Sequence, residues 1–429
     1  MIGNTTLEPV AQNFTDKEML HAQYCSVRSH SEAICAALEI EDYGIQASPE
    51  ASPPKWHMAH TAWFFETLLL KPFYAQYKSF HPQYEQLFNS YYDTLGNYHP
   101  RAERGFLSRP TVKEVYHYRH YVDQHMTQLI LQQDHPDRKE IIARTTLGLN
   151  HEQQHQELLL TDIKFNFAYN PLRPAYQSSP LAPHNNATTL EWIEFKEGIY
   201  HSGFDGDGFA YDNETPRHRT FLHPFKLASR PVTNREYLAF INAEGYQTAD
   251  LWLSEAWQVI QAQQWQAPLY WEQHEDEWRY MTLAGMQAVD LDAPVCHVSY
   301  FEAAAYTRWA GKRLPTEHEW EIAATQLSIK GNFYESGYLQ PAASANESGL
   351  TQMFGDVWEW TQSPYTPYPG YHQARGPLGE YNGKFMSSQM VLRGGSCATS
   401  RDHIRATYRN FFYPQERWQF SGFRLAEDL

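Results

Sequence analysis

Two histidines four positions apart are the strongest chemical signal in the sequence. The run His151-Glu152-Gln153-Gln154-His155 places both imidazoles on one side of a helix, about one turn apart, where they can reach the same metal ion. The Glu and Gln side chains around them form a dense polar run in an otherwise apolar helix, and buried polar groups need partners. The segment therefore predicts a metal site rather than a pair of idle surface histidines.

A metal site needs at least one further ligand, and the N-terminal part of the chain offers several histidines. The candidates are His57, His60, His99, His117, His120 and His125. His57 and His60 lie in an aromatic segment, residues 56–63, that itself has helical spacing. Spacing alone does not choose between them.

The same five-residue run matches the His-Glu-x-x-His signature of zinc peptidases, in which Glu152 would be the general base. The residues after His155 do not continue the metzincin pattern. Residues 163–190 contain no Asp or Glu that could be a thermolysin-like third ligand. The sequence therefore disfavours a zinc hydrolase, but that class and a non-catalytic binding module remain as alternatives.

The first 170 residues are predicted to be mainly helical. Apolar residues recur at helical spacing in Phe14–Leu38, Trp56–Leu70, His81–Leu95, Thr111–Gln132 and Arg138–Phe167. Thr15-Asp16 is the predicted N-cap of the first segment. Segments of this length joined by short loops indicate an up-down bundle, which commonly holds metal ions between facing helices.

A change of composition marks the end of the helical part. Residues 171–190 contain four Pro and no acidic residue, which is typical of a linker. Beyond them, short segments alternate with Gly- and Pro-containing turns, and helical spacing returns only at Thr233–Ala243, Phe301–Trp309 and Thr316–Ala324. We therefore predict a multidomain α and α+β protein, with a helical domain over residues 1–170, a linker over 171–190 and a mixed domain over 191–429.

Bulk composition narrows the class of protein. The 429 residues are 42% hydrophobic and 20% charged, which suits two folded domains, and a formal net charge of −16 disfavours nucleic acid as a partner. The opening residues lack a signal-peptide pattern, no segment approaches the roughly 18 apolar residues of a membrane span, and the four cysteines form no CxxC pair. We expect a cytoplasmic protein that binds neither nucleic acid nor membrane. A homo-oligomer remains open.

A series of motifs runs through both predicted domains in a specific order. In the helical part they are PPKWHMAHT (53–61), SYY (90–92), HPRAERG (99–105), SRPT (108–111) and HEQQH (151–155). In the second part they are RPVTNREY (230–237), GKRLPTE (311–317), GDVWEW (355–360), LRGGS (392–396) and SGFRL (421–425). With these motifs the chain resembles, over nearly its whole length, the ergothioneine-biosynthesis sulfoxide synthases of the EgtB type.

The resemblance implies a DinB-like four-helix bundle followed by a formylglycine-generating-enzyme-like domain of the C-type-lectin-like class. It implies Fe(II) as cofactor, held by His60, His151 and His155, with dioxygen as co-substrate, while His57 becomes a neighbouring or packing residue. The implied reaction joins a thiol, either cysteine or γ-glutamylcysteine, to hercynine (trimethylhistidine) as a sulfoxide. Three imidazole ligands would leave coordination positions open for this chemistry.

The resemblance also implies substrate-binding residues. Arg101 and Arg104 would bind the carboxylate of the thiol. Asn410 and Phe411 would bind hercynine together with Phe412 of the same aromatic stretch, because a quaternary ammonium binds over aromatic faces. Gln154 would face the imidazole of hercynine directly or through water.

A tyrosine supplies a proton near dioxygen in the resembled family. Tyr91 and Tyr92 match the subgroup that carries this tyrosine on the helical domain, and the match does not choose between them. That subgroup accepts free cysteine, which favours cysteine as the donor. Related synthases of 5-histidylcysteine or of selenium analogues remain alternatives; the former usually carry a methyltransferase domain, which this sequence does not include.

The second domain is expected to form a wall and lid of the site rather than an independent enzyme. Formylglycine-generating enzymes use paired cysteines shortly after their Gly-Gly-Ser, whereas here Cys397 is alone and directly follows Ser396. Copper-thiol chemistry is therefore not expected. The Gly- and Asp-rich loops of this domain leave open a structural Ca²⁺ ion.

Overall fold

Four long helices make up most of the first part of the molecule. A computed structural model describes residues 16–178, 186–344 and 348–429. The long helices are α1 (Asp16–Cys35), α2 (Pro54–Phe65), α3 (Val112–Leu131) and α4 (Arg138–Tyr169). They pack against one another around a common apolar core, and a π-helical turn, Glu66–Leu70, extends α2.

These helices confirm four of the five predicted helical segments. The predicted start at Phe14 and the N-cap residue Thr15 lie outside the described residues. Helix α3 begins with a capping box, in which Thr111 Oγ1 accepts a hydrogen bond from the Glu114 amide and the Glu114 carboxylate accepts one from the Thr111 amide. Such a box satisfies two amides that a helix N-terminus otherwise leaves unpaired.

The prediction of a helix over His81–Leu95 is wrong. Only Tyr84–Leu87 is α-helical, and Asp93–Leu95 forms a single 3₁₀ turn. Asn89 supplies the physical reason, because its side chain accepts a hydrogen bond from the Tyr92 amide and donates one to the Tyr92 carbonyl. These side-chain bonds compete with helical ones. The tyrosine pair therefore lies in a loop.

A buried ion network ties three of the long helices together. Glu152 of α4 accepts hydrogen bonds from Arg28 (2.7 Å) and Ser31 (2.6 Å) of α1 and from Arg119 (3.0 Å) of α3. Burial opposes ionisation of Glu152, but the two arginines outweigh it and lower the pKa of its carboxyl to about 2. Removing one member of such a network leaves an uncompensated buried charge, at a cost of about 3–5 kcal/mol.

In the second part of the molecule, the described residues form short strands in four small sheets. The strands are β1 (Trp192–Phe195), β2 (Gly198–Ser202), β3 (His218–Leu222), β4 (Phe225–Ala228), β5 (Trp271–His274), β6 (Glu277–Thr282), β7 (Gly285–Ala288), β8 (Trp358–Pro364), β9 (Met390–Arg393), β10 (Asn410–Phe412), β11 (Ser421–Phe423) and β12 (Ala426–Asp428). The sheet orders are β1-β4-β12, β2-β3, β5-β6-β7 and β10-β9-β8-β11. Strands β8 and β11 are parallel and the other neighbours antiparallel.

Four α-helices accompany these sheets within residues 186–344 and 348–429. They are α5 (Asn234–Asn242), α6 (Ser254–Gln263), α7 (Tyr300–Trp309) and α8 (Glu317–Ala324). Three of them confirm the predicted brief helices, whereas α6 was not predicted. The mixed helical and sheet content of this part is thus confirmed. No helix among the described residues is long and apolar enough to cross a membrane.

The two parts meet along α4. Glu157, two residues after His155, accepts hydrogen bonds from the Trp358 indole (2.7 Å), the Ser396 hydroxyl (2.6 Å) and the Thr399 hydroxyl (2.7 Å). One helix therefore carries the predicted metal motif and also anchors the second part of the chain beside it.

Candidate metal centre and substrate cavity

Three buried histidines from two helices converge in the helical part. His60 comes from α2, and His151 and His155 come from α4. One ring nitrogen from each lies within 4.8 Å of the others, and the Nε2 atoms of His60 and His151 are 3.2 Å apart. The structure thus brings together the three histidines that the resemblance implied.

A backbone carbonyl fixes the proton on His60. Its Nδ1 donates a hydrogen bond to the Phe88 carbonyl at 2.6 Å, so the lone pair is on Nε2, which faces the other histidines. The ring is stacked between Trp56 and Trp63, with centroid distances of 4.6 and 5.4 Å. His60 is therefore held as a neutral ligand in one orientation.

A chain of hydrogen bonds fixes the position of the proton on His155. His57 Nε2 lies 3.0 Å from the Asp162 carboxylate, and His57 Nδ1 lies 2.8 Å from His155 Nδ1. Because His57 donates to Asp162 from Nε2, its Nδ1 accepts the proton of His155 Nδ1. This leaves His155 Nε2 as the free lone pair. Carboxylate–histidine chains of this kind orient metal ligands in proteins.

The three histidines are neutral in this environment. Burial lowers the pKa of His151 to about 3, and burial together with neighbouring histidines lowers the pKa of His60 and of His155 well below the usual value. Neutral rings this close together, with the Nε2 atoms of His60 and His151 3.2 Å apart, can direct their nitrogen lone pairs at one cation. The donor set therefore fits a divalent transition metal, for which neutral imidazole is a preferred ligand.

The glutamate between the histidines faces away from this centre. Glu152 is fully buried in the ion network with Arg28 and Arg119 and does not line the cavity next to the histidines. A carboxylate held by two arginines cannot serve as the general base of a peptidase. The structure thus removes the geometric basis of the zinc-peptidase alternative.

A cavity of about 460 Å³ opens beside the metal centre, between the two parts of the molecule. His57, His151 and His155 line one end. The other lining residues that the sequence had indicated are Tyr91, Arg101, Arg104, Gln154, Asn410, Phe411 and Phe412. Residues far apart in sequence therefore share one cavity, and the second part forms much of its wall.

Arg104 is a buried cation without a carboxylate partner. It is 2% exposed, and it donates to the Ser52 hydroxyl (2.9 Å) and the Ser90 hydroxyl (3.3 Å), while its Nε has no partner. Its guanidinium lies 3.4 Å from the centroid of the Trp56 ring. Among the described residues it forms no ion pair, and burial lowers its pKa well below the usual value. An unpaired buried cation beside a cavity is a built site for an anion.

Three carboxylates line the same cavity, Glu157 of α4 and two that no sequence pattern marked. Glu50 and Glu416 both lie at its wall, as does the exposed Arg101. Burial, followed by repulsion from Glu50, raises the pKa of Glu416 to about 7. The cavity thus offers both guanidinium and carboxylate groups to a ligand.

The second part of the chain adds aromatic rings to the cavity lining. Phe411 stacks on Tyr365 at a centroid distance of 4.1 Å, and Phe412 packs edge-on against Trp418 at 5.4 Å. Gln154 is held by a hydrogen bond from its amide to the Tyr408 hydroxyl (2.6 Å) and by one that its carbonyl accepts from Tyr381. These contacts fix the side chains before any ligand is present.

The two predicted tyrosines differ in position. Tyr91 lines the cavity, and burial raises its pKa to about 12, so its phenol keeps the proton at neutral pH. Tyr92 is fully buried behind it and does not line the cavity; its ring stacks on Tyr91 at 4.7 Å and lies tilted against Trp63 at 5.5 Å. The structure therefore distinguishes Tyr91 from Tyr92 as a cavity residue.

A third tyrosine, Tyr381, was missed by sequence reasoning. It comes from the second part, lines the cavity, and places its ring centroid 5.7 Å from that of His151. It lies on an irregular segment after β8, where no spacing or motif marks it. Only the tertiary structure brings it to the metal centre.

The described residues form no acidic cluster that would support the structural calcium ion left open by the sequence. Within residues 16–178, 186–344 and 348–429, the histidine triad is the one group of three or more His, Cys, Asp or Glu side chains close enough to share a metal. Asp356 in the GDVWEW motif accepts hydrogen bonds from the side chains of Asn332 and Gln352 and from the Ala342 amide. Calcium therefore remains a prediction only.

Comparison with known proteins matches both parts of the molecule. Residues 178–344 and 334–429 match the Sulfatase-modifying factor enzyme 1-like domain family. The hercynine oxygenase of Mycolicibacterium thermoresistibile is 31% identical over 412 residues, which cover 90% of this chain and 89% of that protein. The chain belongs to the hercynine oxygenase family.

Two further relatives agree with this assignment. The hercynine oxygenase of Mycolicibacterium smegmatis is 33% identical over 316 residues, covering 67% of this chain and 72% of that protein. The formylglycine-generating enzyme of Streptomyces coelicolor is 30% identical over 279 residues, which cover only 52% of this chain. The chain is thus an enzyme of the hercynine oxygenase family whose second part has the fold class of the sulfatase-modifying factors.

The Asp162–His57–His155 chain should set the affinity of the site for a metal ion. His57→Ala should weaken binding of a divalent transition metal by roughly 10- to 100-fold, because His155 loses the partner that orients it. Titration of the metal-free protein with Co²⁺ or Fe²⁺ under anaerobic conditions measures the affinity. His120→Ala, at an exposed histidine outside the cavity, is the matched control. Equal affinities in the two variants would show that His57 does not orient the site.

Proposed function

We propose that this protein is an Fe(II)- and O₂-dependent sulfoxide synthase that joins a thiol to hercynine in ergothioneine biosynthesis. In the balanced reaction, the thiol S–H and the hercynine C2–H are lost, one C–S bond and one S–O bond form, and O₂ supplies the sulfoxide oxygen and one water. The proposal is carried by the cavity, where the histidine triad, an unpaired arginine and an aromatic wall meet.

The proposed iron ligands are His60, His151 and His155. When bound, ferrous iron supplies the one-electron chemistry that lets a thiol react with dioxygen. The protein's part is to present three neutral imidazoles, two of which have their free nitrogen set by Phe88 and by the His57–Asp162 pair. Among the described residues, no carboxylate joins the three histidines as a metal-binding group, and Glu152 is committed to arginines.

We assign the thiol carboxylate to Arg104, with Arg101 nearer the cavity mouth. The buried guanidinium of Arg104 has spare donors and no carboxylate of its own, so a substrate carboxylate would supply the missing charge. Glu416 and Glu50 then suit the α-ammonium group of a free amino acid. γ-Glutamylcysteine has an uncharged amide at the corresponding nitrogen, so this pairing of charges favours cysteine.

We assign hercynine to the aromatic part of the lining. Asn410 and Gln154 offer hydrogen bonds, and Phe411 and Phe412 offer ring surface to the trimethylammonium group. Gln154 is held between two tyrosine hydroxyls, which keeps its amide in one orientation next to His151 and His155. This arrangement would bring the hercynine imidazole to the thiol.

Tyr91 is our choice of the predicted pair as proton donor. It has the phenol that lines the cavity, whereas Tyr92 supports it from behind. A protonated phenol at this wall can donate a proton to dioxygen as it is reduced, which limits simple oxidation of the thiol. Tyr381 reaches the same region from the second part, and it is the alternative donor on geometric grounds.

The remaining proposals concern the domain limits, the compartment and the partners of the protein. We propose that residues 1–170 form a DinB-like bundle, that 171–190 link the domains, and that 191–429 form the lectin-like second domain. The helices before Tyr169 and the strands after Trp192 support these limits, and residues 179–185 of the linker lie outside the described part. We expect a cytoplasmic enzyme acting on small molecules, with no nucleic acid or membrane partner.

The function is tested by direct assay. Protein reconstituted anaerobically with Fe²⁺ is exposed to O₂ with hercynine and either cysteine or γ-glutamylcysteine, and products are identified by mass spectrometry. We expect a hercynyl-cysteine sulfoxide, formed faster from cysteine. Histidine in place of hercynine and a selenium donor in place of the thiol are run in parallel, and product from either one alone would replace the proposed substrates.

Replacing the proposed proton donor should change the product rather than abolish turnover. In Tyr91→Phe, oxygen uptake should persist while the main product becomes cysteine sulfinate, because the thiol is oxidised before the C–S bond forms. Tyr92→Phe is the matched control and should retain the sulfoxide. If both variants keep the wild-type product ratio, Tyr381→Phe is the next variant, and the assignment to Tyr91 is wrong.

A further inference from the structure

The loop that carries Tyr91 is held by side chains from the other part of the molecule. This loop, residues 90–95, replaces the helix predicted there and has little regular structure of its own. The segment Glu380–Phe385, which lies between β8 and β9 in the second part, packs against it. The position of a proposed catalytic group thus depends on contacts across the domain boundary.

Glu380 binds the backbone of the loop. Its carboxylate accepts hydrogen bonds from the Asp93 amide (2.9 Å), the Thr94 amide (3.0 Å) and the Thr94 hydroxyl (2.6 Å). The residue is only 9% exposed, so solvent competes little for these bonds. Burial opposes ionisation, but the bonds from Thr94, Lys384 and Asp93 outweigh it and lower the pKa of Glu380 to about 2. The carboxylate is therefore charged at neutral pH.

Lys384 completes the contact one turn later. Its ammonium donates to the Tyr91 carbonyl and lies 3.0 Å from the Asp93 carboxylate and 2.9 Å from Glu380. The same nitrogen is 5.2 Å from the centroid of the Tyr91 ring, within the range of a cation–π contact. The neighbouring Phe385 meets the Tyr91 ring edge-on at 5.0 Å.

The same segment also positions the third tyrosine. Tyr381 follows Glu380 directly, donates to the Gln154 carbonyl and faces His151. Asn382 is tied to Asp212 by a hydrogen bond of 2.7 Å. One short stretch of the second part therefore contacts Tyr91 and supplies Tyr381, which are two of the tyrosines that line the cavity.

We propose that Glu380 and Lys384 are positioning residues that fix Tyr91 at the cavity wall and thereby set the ratio of sulfoxide to sulfinate. The inference rests on the proposed function, since it assumes that Tyr91 donates the proton. A loop without regular hydrogen bonding needs outside contacts to hold one conformation, and these two side chains provide five of them. Displacement of a reacting group by about 1 Å can cost on the order of 100-fold in rate.

The experiment compares Glu380→Gln and Lys384→Met with the wild type and with Tyr91→Phe. Glutamine keeps the shape of Glu380 but loses the charge, and methionine keeps most of the Lys384 stem but loses the ammonium. Each iron-loaded variant is assayed for the sulfoxide-to-sulfinate ratio, for the KM of cysteine and of hercynine, and for iron content. Asp402→Ala removes a different contact between the two parts, the 2.8 Å hydrogen bond from Gln153, and is the control.

The expected result is a shift toward sulfinate of at least several-fold in both variants, in the direction of Tyr91→Phe, with iron content and KM close to wild type. Lys384→Arg should restore much of the sulfoxide, and Asp402→Ala should keep the wild-type ratio. An unchanged ratio in both variants, with a shift in Tyr91→Phe, would overturn the positioning role and leave the proposed function intact. A shift in Asp402→Ala of equal size would also overturn it, because any loosening of the two parts would then suffice. Absence of sulfoxide from the wild type would instead reject the proposed function.

Discussion

Three buried imidazoles from two helices can bind one ion only if their ring nitrogens point at a common centre. The protein must therefore hold each ring in one orientation and in one neutral form. It does so with a backbone carbonyl at His60 and with the His57–Asp162 pair at His155. The long helix α4, fixed on its other side by the Glu152 ion network, gives these contacts a rigid base.

The charged groups that line the cavity beside this centre suit the proposed substrates. A buried guanidinium without a carboxylate is unfavourable in the free protein, and a ligand carboxylate relieves that cost. Glu50 and Glu416 place carboxyl groups in the same cavity, while the aromatic rings suit a cation that cannot form hydrogen bonds. Each substrate of the proposed reaction thus has groups of matching chemistry in the cavity, and the second part of the chain supplies the rings and Glu416.

The parts of the site that depend on local spacing could be predicted from the sequence. The i, i+4 pair on α4 follows from helical geometry, and the capped helix α3 follows from Thr111 and Glu114. The choice of His60 over His57 needed the resemblance, because both lie on one helix at similar spacing. The structure shows that the two have different neighbours, Phe88 for one and Asp162 for the other.

What the sequence did not reveal depends on contacts between distant residues. Asn89 turns the chain where apolar spacing suggested a helix, and Glu380 then holds the resulting loop from nearly 290 positions away. Tyr381 and Glu416 lie in irregular segments whose course is set by packing and not by periodicity. Such residues carry no local pattern, so only the folded arrangement places them at the cavity.

X-ray absorption spectroscopy at the iron edge, on protein loaded anaerobically with Fe²⁺, identifies the ligands of the three-histidine centre. We expect scattering from three imidazole groups with no protein carboxylate or thiolate, and a sulfur scatterer that appears when cysteine is added. His155→Ala should lose most of its bound iron, and the iron that remains should show one imidazole fewer. Two imidazoles with a carboxylate ligand, or full iron retention in His155→Ala, would contradict the three-histidine centre.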